Sequence, residues 1–263
     1  AVWPALYMLG AVACCAQVAG VDSVVEPRAA IRAAAFTACT TVAVYLLDRV
    51  KLRHAWLDPA DAAAHPMRFA FVARHGAPLR LFVLTLLIAG TWLGSELFAW
   101  GAAITVLAAI GVFLYAGRPR EVRKRPKDVL LLKNAYVALG IAGFSVVVAI
   151  AAMRPGATLA EMGQAATAYA LPLALSTLFL AIRVLADAIL CDLDDEDADR
   201  QFGTDTLPNQ VGRARAWNIA IAIRLCLAGV LLVTPVLPFR PRLAWAAVTV
   251  ISSAALRWAA PLR

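Results

Sequence analysis

Long apolar runs alternate with shorter polar segments along the whole chain. A helix of about 20 mostly apolar residues spans the hydrocarbon core of a bilayer. Helices are the expected form, because lipid offers no partner to a free backbone N–H or C=O group. The pattern therefore predicts an all-α, polytopic membrane bundle in a single domain, residues 1–263, with helices at 3–20, 30–48, 79–99, 101–117, 133–153, 165–191, 215–236 and 242–261.

The composition supports an integral membrane protein. Of the 263 residues, 62% are hydrophobic and only 16% are charged. Soluble domains are typically about 45–50% apolar and about 25% charged. This difference excludes an ordinary soluble domain, a disordered chain and a disulfide scaffold. The five cysteines lack metal-ligand spacing, so we expect buried free thiols.

Most basic residues lie in three long loops, each of which follows an even-numbered predicted helix. These loops cover 49–80, 118–133 and 192–215. Cytoplasmic loops of membrane proteins collect Lys and Arg. This rule accounts for the net charge of +8 better than nucleic-acid binding does. We expect the three loops and the N-terminus to face the cytoplasm, with the chain in a bacterial inner membrane.

An acidic cluster follows the sixth predicted helix. The spacing of Asp192, Asp195 and Asp199 places them near one face of a helix. Clustered carboxylates at a membrane helix end repel one another unless a cation is bound. Carboxylates without His or Cys nearby suit Mg²⁺, which usually bridges them to substrate phosphates. The pattern predicts a site for Mg²⁺ and a phosphorylated ligand; the alternative is a charged helix end that only marks the membrane interface.

The same stretch resembles the second signature of the UbiA superfamily of intramembrane prenyltransferases. It reads Asp192-x-x-Asp195-x-x-x-Asp199-Arg200-x-x-Gly203-x-x-Thr206-Leu207-Pro208-x-x-x-Gly212. The resemblance implies a UbiA-like bundle around a central cavity, where two acidic motifs hold Mg²⁺ and a prenyl diphosphate. The diphosphate leaves, and the allylic cation attacks a lipophilic acceptor. By this resemblance Asp195 and Asp199 are catalytic magnesium ligands, Asp192 supports them, and Gly203 and Thr206 shape the turn behind them.

The first family signature, N-x-x-x-D-x-x-x-D or N-D-x-x-D, is only partly present at the end of the second helix. Asp48 matches its central acid and is the expected catalytic metal ligand there, but Val44 and Leu52 stand at the other two positions. Asp58 and Asp61 follow at a spacing that is not the family's. Beside the prenyltransferase that we expect, two alternatives stay open: a terpene cyclase of the same superfamily, and a non-catalytic lipid-binding or transport protein.

Basic side chains near the acidic cluster are candidates for binding a diphosphate, which needs several positive partners. The loop after the fourth helix resembles the family's basic diphosphate loop, although anionic lipid would select the same composition. Arg183 lies one turn before Asp187 and either pairs with it or contacts substrate. Segment 60–75 is expected to form a short interfacial helix over the site. The substrate-binding candidates are Tyr115, Lys124, Lys127, Arg183 and Arg200.

The family usually has nine helices, one more than the pattern predicts. A ninth helix would follow Arg263, be absent from this branch, or be hidden in a segment assigned to a loop. The resemblance implies Mg²⁺ as the cofactor. It also implies three partners: a prenyl diphosphate, a lipophilic acceptor and the membrane lipid itself.

Overall fold

The computed structural model describes residues 2–21, 24–53, 56–116 and 126–259. All regular secondary structure in these ranges is helical, including a 3₁₀ turn at Pro126–Asp128. The α-helices are α1 (Val2–Ala19), α2 (Pro27–Val50), α3 (Pro59–Ala64), α4 (Pro66–Arg74), α5 (Gly76–Leu97), α6 (Gly101–Ala116), α7 (Leu132–Met153), α8 (Leu159–Ala168), α9 (Ala170–Asp192), α10 (Glu196–Gln201), α11 (Leu207–Val211), α12 (Arg213–Val233) and α13 (Phe239–Ala259).

Six helices in the described ranges are long and apolar enough to cross a membrane: α1, α2, α5, α7, α9 and α12. Helix α6 is apolar but shorter, and α13 is long but is not among the six. The predicted all-α membrane bundle is therefore confirmed. Each of the eight predicted runs overlaps one of these eight helices, six of which satisfy both length and hydropathy.

Two predicted segments are divided in the structure. The apolar run at 165–191 contains a break at Tyr169, where α8 ends and α9 begins. Alanines on both sides of the break continue the apolar pattern, so hydropathy does not register it. The predicted interfacial helix at 60–75 forms as α3 and α4, with Pro66 starting the second helix. Proline suits a first helical turn but cannot continue the preceding helix.

Close packing joins the helices in the half of the bundle away from the long loops. Phe36 is fully buried on α2; its ring stacks on that of Phe144 at 5.5 Å and meets that of Phe98 edge-on at 6.4 Å. Helices α5 and α6 meet at Gly94 and Gly101, where an added Cβ on Gly101 would lie 1.9 Å from the Gly94 oxygen. Glycine is required at this contact, as is common where membrane helices approach closely.

The described parts of the three long loops meet at the other end of the bundle. We call this region the loop cap, which comprises residues 51–53, 56–75, 126–131 and 193–212. Lys127 contacts Asp58 across two of the loops, and His65 contacts Asp195 across another pair. The cap is also joined by a backbone hydrogen bond from Asp205 N–H to the Asp128 oxygen, 3.1 Å long. The loops therefore form one polar region over the ends of α2, α7, α9 and α12.

Candidate functional site

Two of the predicted magnesium ligands converge under the loop cap on one ammonium group. Asp192 is the last residue of α9, and Asp199 lies on α10. The Nζ of Lys133, at the start of α7, lies 2.7 Å from Asp192 Oδ1 and 3.4 Å from Asp199 Oδ2. Both carboxylates are buried. Lys133 therefore occupies a point where a cation is held by two carboxylates.

The side-chain amide of Asn134 contacts the other oxygen of Asp192. Its Nδ2 donates a hydrogen bond of 3.0 Å to Asp192 Oδ2. Its Oδ1 is buried and has no hydrogen-bond partner among the described residues. An orphaned buried amide oxygen is costly unless a ligand completes it. Two carboxylates and an amide oxygen form the hard donor set that Mg²⁺ prefers.

The electrostatics of Asp199 indicate that Lys133 does not fully compensate the acidic side. Burial raises the pKa of Asp199 above its usual value, and the neighbouring Asp192 carboxylate raises it further, although Lys133 acts in the opposite direction. A carboxylate in such a position gains from additional positive charge. The residues under this part of the cap thus favour a cation in addition to, or in place of, the lysine.

Asp195 points to a different partner. It precedes α10, and its Oδ1 lies 3.0 Å from Nε2 of His65, at the junction of α3 and α4. No group of three or more His, Cys, Asp or Glu side chains in the described ranges is arranged to hold a metal ion. The signature acids are therefore divided: Asp192 and Asp199 meet at Lys133, and Asp195 contacts the cap.

The non-acidic positions of the signature have local structural roles. Gly203 adopts φ +65° two residues after the end of α10, and Gly212 adopts φ +86° between α11 and α12. Such backbone angles favour glycine over residues with a side chain. Thr206 is the N-cap residue of α11, and Pro208 lies in its first turn. These residues return the chain from α10 to α12 and keep Asp199 over the end of α9.

A second charged group surrounds Asp48 at the end of α2. The Nζ of Lys51 lies 2.7 Å from Asp48 Oδ1, and Arg49 Nε lies 3.8 Å from Oδ2. Burial lowers the pKa of Lys51, although the Asp48 carboxylate opposes this shift. Lys51 also has a left-handed backbone with φ 55°, which is strained for a residue with a side chain. The only acid that the first signature retains is thus already paired with a buried lysine.

The acids that follow Asp48 in the sequence fold back toward it. Asp61 lies 2.7 Å from Arg49 and 3.6 Å from Arg68. Asp58 lies 2.5 Å from Lys127, whose charge also acts on Asp48. We call this charged group the basic half of the site. In the described ranges its contacts join four cations to three carboxylates: Arg49, Lys51, Arg68 and Lys127 to Asp48, Asp58 and Asp61. It carries an excess of positive charge.

The other part of the site, which we call the acidic half, has the opposite balance. It contains Asp192, Asp195 and Asp199 with Lys133 as the cation in contact, and His65 adds charge only when protonated. Tyr115, at the end of α6, is close enough to both Asp48 and Asp192 for their charges to act on its phenol, and its ring stacks 5.1 Å from that of Tyr136. Tyr115 therefore lies where the two halves meet.

The remaining predicted substrate-binding residues differ in position. Lys127 belongs to the basic half. Arg200 is largely exposed and pairs with Glu196 at 2.8 Å. Arg183 pairs with Asp187 and lies nine residues before Asp192, about 13 Å away along α9. Lys124 lies outside the described residues.

Sequence reasoning missed Lys133, Asn134 and Lys51 as site residues. A usable signal was present for the first two, because a Lys-Asn pair begins an otherwise apolar helix on the side of the basic loops. Polar residues at such depth face a partner or a cavity. For Lys51 the sequence shows no such signal, since basic residues are common beside cytoplasmic helix ends.

An apolar groove of about 440 Å³ lies between α7, α8 and α9. Its lining includes Leu139 and Ile150 of α7 and Ala170, Leu178 and Ala181 of α9. Ala181 is three helical turns before Asp192 and on the same face of α9. The groove therefore begins about 16 Å from the acidic half, measured along the helix, and leads away from it.

Comparisons with protein families, with curated proteins and with solved structures found no match.

Proposed function

We propose that the chain is a UbiA-like intramembrane prenyltransferase that acts on a prenyl diphosphate and a lipophilic acceptor. The observation that carries the proposal is the charge distribution under the loop cap. A half with excess negative charge, around Asp192 and Asp199, lies beside a half with excess positive charge, around Lys51 and Lys127. A magnesium–diphosphate pair complements both halves, because the metal suits the carboxylates and the diphosphate suits the cations.

The donor set of the acidic half fits Mg²⁺. Asp192, Asp199 and the orphaned Asn134 oxygen would hold it, with Asp195 available once its contact with His65 opens. Bound there, Mg²⁺ supplies Lewis-acid stabilisation of the departing diphosphate. The basic half does not fit a second ion equally well, since Asp48 is its only signature acid and is bound to Lys51.

The chain's own cations then bind the diphosphate. In the proposal Lys51 and Lys127 contact its oxygens, and Lys124 and Arg200 add further positive charge. Asp48 orients Lys51 through their 2.7 Å contact. Charge that develops on the leaving group is stabilised by preorganised cations more strongly than by water. In the proposal Tyr115, whose phenol is within reach of the charges of both Asp48 and Asp192, orients the reacting end of the substrate.

Apolar walls are also required, because an allylic cation must be kept from water. The groove between α7 and α9 suits an isoprenoid chain, because its lining is almost entirely apolar. Its end at Ala181 lies on the same face of α9 as Asp192, three helical turns before it. In the proposed arrangement eight helices span a bacterial inner membrane, and the loop cap and the N-terminus face the cytoplasm, following the positive-inside rule.

The test is pyrophosphate release by the purified protein in detergent, with farnesyl or geranylgeranyl diphosphate and a lipid extract as the source of acceptor. We expect release that depends on Mg²⁺ and falls at least about 100-fold in Asp199→Asn, comparable to the loss of other transition-state-stabilising groups. Asp197→Asn is the matched control, because Asp197 is an exposed acid of the same helix. It should retain activity.

Product analysis separates the remaining functions. A prenylated acceptor supports transfer, whereas a cyclic hydrocarbon or alcohol formed without acceptor identifies a terpene cyclase. Absence of release, together with absence of Mg²⁺-dependent diphosphate binding, would contradict both enzymes and leave the non-catalytic lipid-binding or transport function.

A further inference from the structure

A second charged cluster lies inside the bundle, away from the loop cap. It contains Arg183 and Asp187 of α9 and Arg224 of α12. Arg224 is eleven residues from the start of α12 and nine from its end, about 16 Å and 13 Å along the axis. Both helices are among the six that can span a membrane. Arg224 therefore lies near the middle of its span, whereas Asp187 is five residues, about 8 Å, from the end of α9.

The two guanidinium groups share one carboxylate. Arg183 Nε lies 3.1 Å from Asp187 Oδ2, and Arg224 Nη1 lies 2.8 Å from Asp187 Oδ1. The hydroxyl of Tyr7, on α1, donates a hydrogen bond of 3.0 Å to the same carboxylate. Arginine keeps its charge in proteins. With two cations and one anion, this described part of the cluster carries one excess positive charge.

The other polar partners are neutral and belong to α13. Ser252 accepts hydrogen bonds from both guanidinium groups, 3.4 Å from Arg183 and 2.6 Å from Arg224. Thr249 accepts another from Arg183, and Ser253 accepts one from Arg224. All three hydroxyls donate to carbonyl oxygens of their own helix. They orient the guanidinium groups but bring no negative charge.

The cluster is partly exposed. The side chains of Arg183 and Asp187 are each 18% exposed, whereas that of Arg224 is only 3% exposed. An uncompensated charge at membrane depth is expensive and marks a site where a partner binds. A pair of guanidinium groups binds a carboxylate well, because each offers a planar set of donors.

We infer that this cluster, the Arg183–Arg224 site, binds the monoanionic carboxylate head of a long-chain amphiphile within the membrane. A single negative charge balances the site, and the surrounding apolar helices suit a hydrocarbon tail. The site is distinct from the proposed diphosphate site, so either proposal can fail without the other.

The experiment measures the thermal unfolding midpoint of the detergent-purified protein by tryptophan fluorescence. Three probes are added in turn: oleate, oleyl alcohol with the same tail, and phosphatidylglycerol as an anionic bilayer lipid. We expect oleate to raise the midpoint by about 5 °C at saturating concentration. Oleyl alcohol should not do so. A rise with phosphatidylglycerol equal to or above that with oleate would overturn the free carboxylate as the ligand and indicate a bilayer lipid headgroup.

Ser252→Asp provides the decisive variant, because it places a carboxylate between the two guanidinium groups. It should abolish the response to oleate, while the isosteric control Ser252→Asn should keep it. The proposal is overturned if oleate and oleyl alcohol act alike on the wild-type protein, a result that needs no variant to fold. It is also overturned if Ser252→Asp responds to oleate as Ser252→Asn does.

Discussion

Replacing Lys133 with methionine removes the ammonium group that joins Asp192 and Asp199 while keeping a long apolar stem. The side chains of the two carboxylates are 4% and 10% exposed, and that of the lysine is 20% exposed. Little water can therefore replace the lost charge. We expect Lys133→Met to destabilise the protein and to make its stability depend on Mg²⁺.

The magnitude follows from the two distances. At an effective dielectric constant of about 20, an ammonium 2.7 Å from one carboxylate and 3.4 Å from another attracts them by about 6 and about 5 kcal/mol. The cost of removing three charges from water offsets much of this attraction. Deleting one partner of a buried pair typically costs about 3–5 kcal/mol, since the other charge stays buried. We expect a loss in that range without Mg²⁺.

The assay is thermal unfolding in detergent with EDTA and with millimolar Mg²⁺. A loss of this size lowers the midpoint by about 10 °C for a chain of this length. Mg²⁺ should restore at least half of it, because the vacated point is lined by the carboxylates of Asp192 and Asp199. Arg200→Met is the control, because the Arg200 side chain is 63% exposed and surface pairs contribute about 0–1 kcal/mol. A midpoint for Lys133→Met within 2 °C of wild type in both buffers would refute the reasoning.

Other predictions concern the packing and the backbone. Gly101→Ala should destabilise the protein by about 1–3 kcal/mol or more, because the added Cβ would meet the Gly94 backbone. Gly143→Ala should be nearly neutral, because the added Cβ has open space. Denaturant unfolding in detergent measures both. Lys51→Gly should be more stable than Lys51→Ala by about 1–3 kcal/mol in the same assay, since both lose the ammonium but only glycine relieves the strain at φ 55°. Phe36→Ala should cost about 3 kcal/mol, near the lower end for a buried phenylalanine, because lipid supplies no hydrophobic transfer term; equal stability with wild type would contradict the packing.

The long helices were predictable because membrane spans are specified by local composition. Predicting an apolar run requires no knowledge of distant residues. The approximate positions of α1, α2, α5 and α7 therefore follow from hydropathy alone. Breaks within an apolar stretch were not predictable in this way. The turn at Tyr169 has no glycine or charge within two residues on either side, and its one local signal is Pro172, in the first turn of α9.

The candidate site was predictable only in its acids. Asp192, Asp195 and Asp199 stand out by spacing, but the sequence does not show that two of them converge while the third contacts His65. That division depends on how the segments of the loop cap fold against one another. Asn134 and Asp192 are 58 residues apart and meet because α7 and α9 pack side by side. Contacts of this kind arise from tertiary packing, which local patterns do not encode.

Helix α9 connects the site under the loop cap to the Arg183–Arg224 site. The position of each site along α9 explains why their balances of positive and negative charge differ. At the polar end of α9, Asp192 lies beneath loops that carry both acidic and basic side chains. These side chains form two adjacent clusters, the acidic half and the basic half. Asp187 lies about one and a half turns deeper and Arg183 about two and a half turns deeper. Their partners come from the neighbouring spans, which supply Arg224 and hydroxyl groups but no second carboxylate in the described ranges. Charge at that depth is retained only where it has a partner. The adjacent acidic and basic halves at the end of the bundle therefore fit a polar ligand with both signs of charge. The single excess positive charge inside the bundle fits one anion carried on an apolar chain.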